Sequence, residues 1–178
     1  MTLATPFTPL HLTVRDQKTW LFSTLFIVGN LLLPQLCHFV PSGGLIFLPI
    51  YFFTLIAAYK FGFRTGIMTA VLSPVLNHLI FGMPALSMLP VLLIKSTLLA
   101  LAAAYAAGYF KKVSILSLAM VVIAYQIVGT LVEWLIVKDF FVAVQDFRLG
   151  LLGMAIQVLG GWVFLSTVNS HQSTNDRP

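Results

Sequence analysis

Apolar residues run along this chain in six long blocks, each broken off by a short polar or glycine-proline stretch. The blocks are Thr19–Leu36, Leu45–Ala58, Thr65–Phe81, Leu86–Phe110, Val113–Val137 and Leu149–Val168. The breaks are CHFVPSGG, YKFGFR, GMPA, the pair Lys111–Lys112, and KDFFVAVQDFR. Crossing a bilayer takes roughly 20 consecutive apolar residues as a helix. The pattern therefore predicts an all-α polytopic membrane protein with six transmembrane helices. The second block is short and is expected to borrow Gly43 and Gly44 or part of YKFGF. The division predicted is a polar segment over residues 1–18, one six-helix domain over 19–168, and a polar tail over 169–178. The first block is read as a retained helix, because no small-x-small cleavage site follows it directly.

Composition sharpens this reading. The 178 residues are 59% hydrophobic and only 8% charged, too little charge to cover a water-soluble surface. The single cysteine, Cys37, excludes an internal disulfide and a multi-cysteine metal site. The net charge of +5 reads as a topology signal rather than a nucleic-acid signal. Arg15, Lys18, Lys60, Arg64, Lys111, Lys112 and Arg177 flank one side, whereas only Lys138 and Arg148 flank the other, beside Asp139 and Asp146. By the positive-inside rule both termini are expected in the cytoplasm.

Polar residues inside the blocks are costly in lipid, so each needs a partner or a function. Lys95 falls roughly 13 Å from the outer end of the fourth block at 1.5 Å per residue. Glu133, Gln157, Asn30 and the neighbours Asn77 and His78 lie in the outer half as well, whereas Gln126 alone falls deeper. Gln126, Gly129, Thr130 and Glu133 recur at helical spacing on one face. A polar face containing a glycine is turned toward protein or a cavity rather than lipid. Lys95, Glu133, Gln157, Asn30, Asn77 and His78 are therefore the candidate substrate-binding residues. Mutual neutralisation of Lys95 by Glu133, and hydrogen-bond glue from Asn30 and Gln157, are the bland alternatives. A lysine in a low-dielectric cavity draws anions, so a carboxylate-bearing or acceptor-rich ligand is expected. His78 has no second histidine or cysteine at ligand spacing, so no metal is expected.

The inner halves carry small residues every fourth position: Gly62, Gly66 and Ala70 in the third block, and Ala100, Ala104 and Gly108 in the fourth. Such stripes let helix backbones approach closely, either within the bundle or against a partner, and they are the candidate partner-docking residues.

Residues 43–90 resemble the substrate-capture S component of energy-coupling-factor vitamin transporters. The resemblance is carried by Phe61, Gly62 and Gly66 at the turn into the third block, by Ser73–Pro74 within it, and by the loop Gly82–Met83–Pro84. It implies a small integral protein of a prokaryotic cytoplasmic (inner) membrane. Such a protein binds a vitamin or vitamin-precursor-like molecule near the outer face. It works with a transmembrane coupling subunit and cytoplasmic ATPase subunits. Two features depart from that pattern. The first block offers only Ser23 and Gly29 as small residues where family members carry an alanine pair, and Lys95 stands where relatives with a similar loop carry glutamate.

No Walker loop occurs in the chain, so ATP-driven transport needs other subunits. Glu133 is the one acid inside a block, with no nucleophile–base or paired-acid arrangement around it, so no enzyme activity and no cofactor are expected. The competing reading is a non-transporting membrane scaffold of the rod-shape-determining type. A clustered polar site near the outer face favours transport over that alternative.

Overall fold

The computed structural model describes residues 5–7, 9, 13 and 15–175, with only the backbone described for 5, 6 and 170–175. The long helices are α1 (Gln17–Cys37), α3 (Phe52–Phe61), α4 (Phe63–Phe81), α5 (Leu89–Phe110), α6 (Ile115–Val137) and α9 (Leu151–Asn175). Three short helices join them: α2 (Gly43–Phe47), α7 (Phe140–Ala143) and α8 (Gln145–Leu149). Strand β1 (Thr5–Pro6) pairs antiparallel with β2 (Lys112–Val113).

The six blocks each become helix, with three changes. The second block runs from Gly43 to Phe61 but is not continuous. Leu48 sits in the left-handed region (φ 47°, ψ 48°) between α2 and a 3-10 turn over Pro49–Tyr51 that leads into α3. Pro49 is the reason, since a proline disfavours the right-handed helical conformation in the residue before it. At the last block the helix continues past Val168 to Asn175, so most of the polar tail is helical backbone; residues 176–178 lie outside the described residues. Finally, the segment after α6 is not an open loop but folds into α7 and α8. Asp139 caps α7 by accepting from the Phe141 and Val142 amides at 2.9 and 3.2 Å.

Among the described residues, five helical stretches are long and apolar enough to cross a membrane: Gln17–Cys37, Gly43–Phe61, Leu89–Phe110, Ile115–Val137 and Leu151–Asn169. The remaining long helix, α4, has the length (19 residues), but Arg64, Asn77 and His78 make it less apolar.

The bundle carries its large apolar side chains outward. Leu21, Leu25, Leu79, Tyr105, Leu116 and Leu135 are all more than half exposed, while Ala57, Ala58, Ala70, Ala100 and Ala103 have no exposure at all. A water-soluble domain rarely leaves contiguous apolar surface on this scale. The stretch holding α3 is the axis: 67% of it is buried, against 28% of α1 and of α9, and α3 packs on α1, α4, α5 and α9. Gly66 allows the tight approach of α4 to α3, because a Cβ there would stand 2.5 Å from the Ala58 Cβ and 2.7 Å from its Cα. Ser96 on α5 donates to the Ala70 carbonyl on α4 at 2.8 Å.

One end of the bundle is closed by the strand pair. Thr5 lies opposite Val113 and Pro6 opposite Lys112, and the Phe7 amide donates to the Lys111 carbonyl at 3.0 Å. Phe7 is buried against Tyr59, with ring centroids 5.4 Å apart. Tyr59 in turn donates to the Lys112 carbonyl at 2.8 Å. Lys60, a flanking charge by its place in the sequence, is instead 1% exposed inside α3, with its ammonium 4.6 Å from the Phe7 ring centroid.

Candidate functional site

Lys95 is the centre of the polar interior. It lies two turns into α5, because that helix begins at Leu89 rather than Leu86. Its ammonium stands 2.5 Å from Glu133 Oε2 on α6 and 2.7 Å from Asp146 Oδ2 on α8. The Lys95 side chain has no exposure; those of Glu133 and Asp146 are 7% and 18% exposed. The predicted Lys95–Glu133 pairing is thus present, and Asp146 is the residue that sequence reasoning missed. In the sequence it stands between two apolar blocks as a loop charge beside Arg148. The fold-back of α7 and α8 that brings it inward has no long period in the sequence to reveal it.

The face predicted on α6 is turned inward as expected. Gln126 and Glu133 are buried, and Gly129 provides the space for the lysine stem, since a Cβ at that position would lie 2.6 Å from Lys95 Cγ. Gln157 on α9 is 1% exposed, and its Oε1 accepts from Tyr125 Oη at 3.1 Å. Tyr125 packs against Tyr51 with ring centroids 5.4 Å apart at 50°. Tyr51 lies within electrostatic reach of Asp146, Tyr125 and Glu133, which ties the tyrosine pair to the ion cluster. Neither tyrosine stood among the expected site residues, because an aromatic in an apolar run reads as core.

Several atoms here are buried without a hydrogen-bond partner: Tyr51 Oη, both amide atoms of Gln126, Thr130 Oγ1 and Gln157 Nε2. Buried polar groups are hydrogen-bonded in the great majority of cases. A concentration of orphans around one ion cluster therefore points to a guest, water or ligand, that supplies the missing bonds.

The expected single pocket divides. Asn30 belongs to a separate network joining α1, α3 and α4. Its Nδ2 donates to Thr54 Oγ1 and Ser73 Oγ at 3.0 and 3.2 Å, and its Oδ1 accepts from the Phe53 amide at 3.3 Å. That amide lies in the first turn of α3, where backbone donors have no intrahelical acceptor. Asn77 donates to the Asn30 carbonyl at 3.2 Å and accepts from Gln35 at 3.3 Å. These bonds use both asparagine side chains as interhelical glue. His78 joins neither group: its Nδ1 lies 2.8 Å from the Pro84 carbonyl, tying the end of α4 to the following loop. Two apolar grooves mark the outside of the bundle, 530 Å³ between α3 and α9 around Phe52 and Phe164, and 290 Å³ between α6 and α9 around Met154. Neither is lined by any of the six expected binding residues.

Of the small-residue stripes, Gly62, Gly66, Ala70 and Ala100 are buried between helices of this chain, whereas Ala104 and Gly108 are half-buried. A Cβ on Gly108 would meet open space. Among the described residues no group of three or more histidine, cysteine or acidic side chains could hold a metal. No protein-family model matches the chain, and neither a curated protein nor a solved structure does.

Proposed function

We propose that the protein is a membrane-embedded, substrate-binding subunit of the energy-coupling-factor type, which captures a small vitamin-like molecule. The ligand sits among Lys95, Glu133, Asp146, Tyr51, Tyr125 and Gln157. The observation that carries the reading is the set of buried, unpartnered polar atoms on Tyr51, Gln126 and Gln157 gathered around one ion cluster. Asn30, Asn77 and His78 serve as structural polar groups in this reading, because their bonds are made within the chain. Embedding in a membrane is supported by five long apolar helices and by the outward-facing apolar surface; that the membrane is a prokaryotic cytoplasmic one, crossed six times, is part of the proposal. The less apolar α4 is then shielded by its neighbours α1, α3 and α5. Coupling to a transmembrane partner and its ATPases uses the half-buried end of α5 at Ala104 and Gly108.

The rival reading is a non-transporting scaffold, and the full pairing of Lys95 favours it, since a closed ion cluster can serve packing alone. Native mass spectrometry of the purified protein separates the two. A bound molecule below about 1 kDa, absent from a Tyr51→Phe/Gln157→Ala variant that still folds, supports the binding subunit. Protein that is bare whenever its lipid is removed supports the scaffold.

A further inference from the structure

The ion cluster has the wrong charge for an anionic guest. It contains one ammonium, on Lys95, and two carboxylates, on Glu133 and Asp146, both within 2.7 Å of that ammonium. One cation against two anions leaves a single negative charge in excess. The other bases of the adjoining segment, Lys138 and Arg148, are exposed and do not enclose it. An anion at Lys95 would either add a third negative charge beside one ammonium or displace a carboxylate and leave it unpaired. Either outcome leaves buried negative charge without a counter-ion, which is costly.

We infer that the guest is a small organic cation, whose ammonium or cationic ring is held by Glu133 and Asp146 against the rings of Tyr51 and Tyr125. This rests on the binding-subunit reading and names the ligand class for the same site. It reverses the anionic ligand expected from Lys95 alone. An observation independent of the acidic pair supports it. Tyr51 is 1% exposed and its Oη has no hydrogen-bond partner, although the residue lies near both carboxylates. A tyrosine pair with centroids 5.4 Å apart offers ring faces that attract cations, more strongly where water is excluded. Gln157 Nε2 and the amide of Gln126 remain for neutral polar atoms of the same guest. In this arrangement Lys95 is a positioning residue. It holds the two carboxylates from α6 and α8 together and leaves them jointly acidic.

The test is equilibrium dialysis of the full-length protein in lipid nanodiscs against two pools. One contains thiamine, choline, spermidine and tryptamine; the other contains biotin, pantothenate, nicotinate and folate. Retention of a member of the cationic pool is expected. Asp146→Asn should weaken that binding about 10- to 100-fold, the worth of one charge-assisted hydrogen bond, while the melting profile stays cooperative. Glu133→Gln is the second variant, should Asp146→Asn not fold. Retention of an anionic compound overturns the cation assignment and leaves the binding-subunit reading standing. A cation held equally well by wild type, Asp146→Asn and Glu133→Gln overturns the placing of the guest on this carboxylate pair. Retention of nothing from either pool overturns the inference and the binding-subunit reading together.

Discussion

Gly129 lies directly against the stem of Lys95: a Cβ added to this glycine would stand 2.6 Å from Lys95 Cγ and 3.3 Å from Cε. The ammonium reaches two carboxylates because the facing helix has no side chain at that point. Gly129→Ala should therefore destabilise the protein by about 1–3 kcal/mol, the usual cost of overpacking. Removing the stem should relieve it, so Gly129→Ala combined with Lys95→Ala should lose less than the sum of the two single changes. Thermal denaturation in detergent of the four proteins checks this, and strict additivity would show that the glycine is not there for the lysine.

Lys95→Met leaves both carboxylates without their counter-charge. The expected loss of stability is about 3–5 kcal/mol, as for removal of one partner from a buried ion pair. Glu133→Gln added to Lys95→Met still leaves Asp146 unpaired and should recover only part of the loss. The triple variant with Asp146→Asn should recover most of it. A double variant as stable as the triple would remove Asp146 from the cluster.

Asn30→Ala strips an acceptor from the Phe53 amide and a donor from Thr54 and Ser73. Stranding one such buried group costs about 1–3 kcal/mol. Since Asn30 shares no hydrogen bond with the Lys95 cluster, binding of any retained ligand should stay within about twofold of wild type once the variant is folded. A large affinity loss at preserved stability would join the two networks into one site.

The two small-residue positions should behave differently. Gly66→Leu drives a side chain into Ala58 and should abolish folding. Ala104 is only half-buried, so Ala104→Leu should yield folded protein that binds ligand but no longer co-purifies with a coupling subunit. Intact co-purification would move the docking surface elsewhere.

With the buried Lys60 set aside, six of the eight flanking basic residues share one side in the sequence, so both termini are expected in the cytoplasm. A C-terminal green fluorescent fusion should glow and an alkaline phosphatase fusion should stay inactive. The opposite pair of results would invert the orientation.

The helices were legible because long apolar runs with glycine-proline breaks are a local signal, and Lys95, Glu133 and Gln157 stood out as polar residues in those runs. The stripe Gln126–Gly129–Thr130–Glu133 even announced its buried face through helical spacing. Asp146 could not be found this way, because it reaches the site through two short helices that carry no long period. Asn30 and Asn77 shared a depth with Lys95, but depth along an axis does not say on which side of the bundle a residue lies. The break at Leu48 was foreshadowed only by Pro49, which marks a disturbance without giving its form.

The clasp of Thr5 and Pro6 on Lys112 and Val113 sets an order of events during synthesis. The two strands are separated in the chain by the five helices α1 to α5, so the first strand has no partner until all five have been made. Until then Phe7 has no cover over Lys60, and the partly built bundle is open at that end. Closing the clasp ties the two ends of the first half of the protein together, and α6 and α9 pack on the α5 and α3 that lie between them.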